Sequence, residues 1–85
     1  MQKSVYSPEQ IALQRLLRIL REEAGLRQED LAAKLGRPQP FVSRYEIGTK
    51  MLDLPELRQI CKALEITLPE LVAKYEKALN DLGLA

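Results

Sequence analysis

The sequence predicts an all-α protein, and three observations carry that reading. Leu, Ala, Glu, Lys, Arg and Gln, the strong helix formers, dominate the composition. Apolar residues recur at helical rather than alternating spacing. Helix-start signals, Ser, Asp or Thr followed by proline and then by Glu or Gln, occur several times. With 85 residues and 46% apolar content, the chain has the size of one domain, spanning residues 1–85, with a modest core.

The first helix opens at Ser7-Pro8-Glu9-Gln10, where Ser7 caps, Pro8 takes the first helical position and Gln10 completes a capping box. Ile11, Leu13, Leu16, Leu17, Leu20 and Ala24 form its apolar stripe, and Gly25 stops it. A second helix is expected from Gln28 to Leu35, on Leu31, Ala32 and Leu35, with Gly36 as its stop. Pro38 and Pro40 bracket Gln39. Proline in a helix's first turn breaks nothing, because the N–H it lacks has no intrahelical partner there. The prolines therefore mark the start of a third helix at Gln39, which runs to about Ile47 and ends at Gly48. Capping boxes at Asp53–Glu56 and Thr67–Glu70 open the fourth and fifth helices. The fourth has the stripe Leu54, Leu57, Ile60, Cys61 and Leu64. The fifth, ending near residue 82, carries Leu68, Leu71, Val72, Tyr75, Ala78, Leu79 and Leu82.

Composition excludes several functions. The chain has no histidine and one cysteine, Cys61, so it offers no internal disulfide, no zinc site and no His-dependent catalysis. No nucleophile–base set stands out, so an enzyme is not expected, and no cofactor is implied. No apolar run reaches membrane-spanning length, and the N-terminus lacks an apolar signal core, so a cytoplasmic protein is expected. Net charge is only +1, but residues 27–50 hold five basic and three acidic side chains, whereas residues 51–85 hold four basic and six acidic ones. The mildly basic middle suits an anionic partner.

The second and third helices, short and joined by a tight turn, have the dimensions of a helix-turn-helix. The stretches GLRQEDLAAKLGRPQPFVSRYEIGTK and LPELRQICKALEITLPEL together resemble the Cro/CI-type (XRE-like) helix-turn-helix family of phage-repressor-like regulators, over about residues 13–72. The resemblance implies a compact five-helix domain like that of lambda repressor, its third helix lying in the major groove of double-stranded DNA. It implies that Gln28 contacts a phosphate and braces Gln39, that Gln39 reads a base, and that Arg21 and Glu46 form an internal ion pair. A glutamine amide, with one donor and one acceptor edge, suits adenine in the major groove. Pro40 offers a surface for a thymine methyl. Ser43 and Arg44 lie one turn further on, with Arg44 placed for a guanine or a phosphate. Arg27, Arg37, Thr49 and Lys50 are the expected phosphate partners. Phe41 either packs inside the domain or touches the DNA backbone.

Arg27 and Pro38 stand where the family usually has a capping Ser or Thr, and neither can accept a capping hydrogen bond. Ile47 replaces a polar residue frequent in the family. The fifth helix (68–82) is longer than the family core needs. It either folds back across the first helix or packs on its copy in a second chain, and the homodimer is the expectation. The function expected is transcriptional repression by sequence-specific DNA binding. The alternative is a protein-interaction module of the same fold, such as an antitoxin, with DNA binding secondary.

Overall fold

A computed structural model describes residues 7–84. Met1–Tyr6 and Ala85, the ends of the expected domain, lie outside the described residues. Five helices follow in order: α1 (Pro8–Glu23), α2 (Gln28–Leu35), α3 (Gln39–Ile47), α4 (Leu54–Ala63) and α5 (Leu68–Asp81). α2 packs on α3 and α4. α1 packs on α3 and α5, and α4 closes against α5. Leu17, Leu20, Leu31, Ala32, Val42, Tyr45, Ile60, Cys61, Leu64 and Leu71 make the buried core, to which every helix contributes.

The helix ends follow from local chemistry. The Asp53 and Thr67 side chains accept from the N–H groups of Glu56 and Glu70, whose carboxylates accept in return from the N–H groups of Asp53 and Thr67. At α1 only half of the expected box forms: the Ser7 hydroxyl accepts from the Gln10 N–H at 3.1 Å, without the return bond. α2 is capped from the inside. An arginine side chain only donates, so at α2 it is the Asp30 carboxylate that accepts, taking the Arg27 N–H at 2.8 Å.

α1 ends in a Schellman turn, with Leu26 N–H on the Arg21 carbonyl and Gly25 N–H on that of Glu22. The same turn ends α4, but there the left-handed position is held by Glu65, at φ 62°. Gly48 ends α3 at φ 92°. A Cβ there would lie 2.6 Å from Nε2 of Gln14, a buried polar residue of α1.

Several stripe residues lie elsewhere than expected. Leu54, Val72 and Leu82 are exposed, as is Ala24. Leu54 occupies the first position of α4 and Ala24 lies past the end of α1, so each stands at an end of its stripe. In their place Ala12 is buried, because α5 lies across α1. α5 thus takes the fold-back arrangement: Leu79 is buried, and the Tyr75 hydroxyl donates to the Glu9 carbonyl at 3.1 Å.

Candidate nucleic-acid interface

The α2–turn–α3 unit presents one helix tip to solvent. Gly36, at φ 66°, ends α2, and the extended Pro38 sets the chain into α3. Gln39 and Pro40 form the leading turn, and both are exposed. Val42 and Tyr45 anchor the opposite face of α3 in the core, which fixes the exposed face as the one bearing Gln39, Pro40 and Arg44, with Ser43 half-buried beside it. Arg44 makes no ion pair among the described residues, so its guanidinium is available for an anion or a base edge.

A line of hydrogen bonds runs inward from that tip. Gln39 Nε2 donates to Gln28 Oε1 at 2.8 Å, and Gln28 Nε2 donates to Glu46 Oε1 at 2.9 Å. Glu46 accepts from Arg21 Nε at 2.7 Å and from Arg21 Nη2 at 3.1 Å. Arg21 Nη1 finally donates to the Leu26 carbonyl at 2.7 Å. The Arg21 and Glu46 side chains are only 9% and 3% exposed, so the two-pronged pair is shielded from water. The hydrogen bond to Glu46 holds the Arg21 pKa above its ordinary value, outweighing the opposing effect of burial.

The expected phosphate partners divide into two groups. Arg37 and Lys50 flank Phe41: the guanidinium carbon lies 4.5 Å from the ring centroid and the ammonium nitrogen 5.7 Å. Phe41 is half-buried and meets Tyr45 edge-to-face at 5.6 Å. The ring therefore packs on the core and serves as a platform for two cations. Lys50 also pairs with Glu56 at 3.3 Å. The Thr49 hydroxyl donates to the Arg44 carbonyl at 3.3 Å, which steadies the turn after α3. Arg27 differs. It is bound by Asp30 at 3.1 Å and approached by Glu29 at 3.5 Å, so a phosphate must compete with two carboxylates. Ile47 is 63% exposed, an apolar side chain at the far end of α3.

The geometry of two short helices, the second displaying a braced polar tip, agrees with what the comparisons find. The helix-turn-helix domain family matches residues 12–74. An XRE-family like protein from Pseudomonas syringae pv. tomato str. DC3000 is 39% identical, with 78% of this chain and 84% of that chain covered and a TM-score of 0.67. The chain belongs to the XRE-type helix-turn-helix family.

A mutant of the restriction-modification controller protein C.Esp1396I is also similar, at 27% identity and TM-score 0.80, covering 86% of this chain and 92% of that one. The clp gene regulator ClgR from C. glutamicum shares the fold, at 22% identity and TM-score 0.74, with 85% and 92% covered. No curated protein matches. Family membership, with a restriction-modification controller protein among the similar structures, supports a DNA-binding regulator.

Within this XRE-type domain, two features escaped the sequence reading. The contact from Gln28 to Glu46 was not anticipated, although Glu46 lies two helical turns after Gln39 on the same face of α3. The cation platform was signalled by the four-residue spacing of Arg37 and Phe41, but the turn between α2 and α3 hides such a pairing from a helical count.

Proposed function

We propose that this chain is a sequence-specific DNA-binding repressor that inserts α3 into the major groove. The observation that carries this reading is the exposed Gln39 amide at the leading turn of α3, held by Gln28. A braced amide loses less freedom on meeting a base than a free one. Gln39, Pro40, Ser43 and Arg44 select the bases. Gln28, Arg37, Thr49 and Lys50 position the domain on phosphates, with Arg27 contributing where Asp30 releases it and Phe41 holding the two flanking cations. Occupying a promoter is enough for repression, without catalysis or cofactor, and the work is done in the cytoplasm, where the DNA is. Titration with duplex DNA at several salt concentrations tests the backbone layer. The logarithm of affinity should fall linearly with that of salt, by about 0.9 per phosphate neutralised. Salt-independent or absent binding would favour the protein-interaction reading.

We further propose a homodimer through the apolar side chains that α1 and α5 leave exposed after α5 has folded back. A groove of about 250 Å³ between them is lined by Ala12, Leu16, Ile19, Ala78 and Leu82, with Arg15 and Asp81 at its rim. Ile19 and Leu82 are 48% and 56% exposed. Apolar residues beside opposite charges suit a two-fold contact, in which Arg15 of one copy meets Asp81 of the other, a carboxylate that Lys77 already approaches at 3.1 Å. Such a dimer would set two α3 helices about 34 Å apart, one turn of DNA, and require a near-palindromic site. Sedimentation should show a dimer that Leu82→Asp converts to monomer. A wild-type monomer at tens of micromolar would refute it.

A further inference from the structure

The line of hydrogen bonds behind Gln39 has a direction, and the direction is imposed from its buried end. A guanidinium only donates and a carboxylate only accepts. Arg21 occupies both oxygens of Glu46, and Glu46 Oε1 also faces Gln28. Gln28 must therefore turn its NH2 toward Glu46, which leaves its carbonyl oxygen on the other side. Gln39 meets that oxygen and must turn its own NH2 toward it. Each amide has two orientations in principle, and at each step the preceding neighbour allows one.

We propose that the buried Arg21–Glu46 pair is a specificity-determining element: acting through Gln28, it fixes which way round the Gln39 amide faces and so favours adenine over guanine at the base that Gln39 meets. This rests on the reading of α3 as the base-reading helix. With one N–H committed to Gln28, Gln39 presents its carbonyl oxygen and its other N–H. Adenine offers the complement in the major groove, the N6 donor and the N7 acceptor. Guanine offers two acceptors, N7 and O6, and sets O6 against the Gln39 carbonyl oxygen. An unbraced Gln39 has both N–H groups free and could turn its NH2 toward N7 and O6, so it could accommodate either base. Arg21 and Glu46 touch no base in this scheme; they are positioning residues.

The test compares the affinity of the whole protein for duplexes carrying A·T or G·C at the position whose preference is lost in Gln39→Ala. Two substitutions act on the relay. Glu46→Gln keeps the shape of the side chain but sets its NH2 against one or other Arg21 donor, so Gln28 is no longer obliged to donate toward it. Gln28→Met removes the relay and leaves the Arg21–Glu46 pair in place, so it carries the test if Glu46→Gln fails to fold. Wild type should prefer adenine by about tenfold, the worth of one good bidentate base contact. The preference should vanish in Gln28→Met and in Glu46→Gln. A role in stability alone would lower affinity for both duplexes by one common factor and leave their ratio unchanged. A ratio that survives both substitutions therefore overturns the relay while the base-reading helix stands. A wild type with no base preference at any position overturns the relay and the DNA reading together.

Discussion

At the scale of single residues, backbone conformation separates two helix ends that look alike in sequence order. Gly48 is favoured by its positive φ, and a Cβ there would also oblige the Gln14 amide to shift. Glu65 takes the same left-handed region with a side chain, at the end of α4. The left-handed conformation costs an L-residue roughly 1–2 kcal/mol, part of which glycine gives back through its freer unfolded chain. Glu65→Gly should accordingly raise stability by about 0.5–1 kcal/mol in urea unfolding. A loss of stability would mean that the Glu65 side chain contributes something the geometry does not show. Cys61, the single cysteine, is buried in the core, and burial pushes its thiol pKa up, which makes it a packing residue rather than a reactive one. Tyr45 is buried as completely, and its hydroxyl has no hydrogen-bond partner among the described residues.

At the scale of helices, the ion pairs among the described residues differ in worth with their exposure. The Arg21–Glu46 pair joins the end of α1 to the end of α3. Arg21→Ala strands the Glu46 carboxylate and should cost about 3–5 kcal/mol. Arg18, whose contact with Glu22 is exposed at 3.4 Å, should cost under about 0.5 kcal/mol on the same substitution. Equal losses in urea unfolding would contradict the distinction.

The helix N-termini add a pH dependence. Asp30, Glu56 and Glu70 each sit at the third position of a helix, and each has its pKa lowered. For Asp30 the leading cause is the hydrogen bond from the Arg27 side chain; for Glu56 and Glu70 it is the backbone N–H of Asp53 and Thr67. A carboxylate depressed in the folded state stabilises it fully above its unfolded pKa, about 4, and stops doing so as pH falls through the lower folded value. Thermal melts should therefore be insensitive to these groups near neutrality and fall below about pH 4. Replacing all three with their amides should flatten that acid limb; an unchanged limb would assign it to other groups.

Much of this level was legible in sequence. Gly36 and Gly48 stop α2 and α3, and Pro40 starts α3, because those residues admit few alternatives for the backbone. The inward hydrogen-bond line was only half legible. Its ends, Arg21 and Glu46, and the brace between Gln28 and Gln39 were implied by resemblance, but the link from Gln28 to Glu46 depends on how α2 crosses α3. The reversed cap at Arg27 was also missed, since a capping position is usually read for its own side chain and Asp30 supplies the acceptor instead. Leu54 and Val72 were misplaced because helical spacing identifies an apolar side chain without saying how wide a face its neighbours can cover.

At the scale of the whole molecule, the near-zero net charge conceals an uneven surface. Arg37 and Lys50 meet over Phe41 near the start of α3 and Arg44 is exposed in its last turn, while the acidic excess lies in the last third of the chain. Phosphate contacts of that kind set position and strength, and the few side chains on α3 set sequence. The measurement that bears most directly on this division is selection from a random duplex pool with the wild type and with Gln39→Ala. The wild type should enrich a two-fold symmetric site with half-sites about one DNA turn apart. Gln39→Ala should lose preference at one position in each half-site while its binding to bulk DNA persists. Enrichment of no sequence by the wild type, or an identical site from both proteins, would contradict the role given to α3 and its leading glutamine.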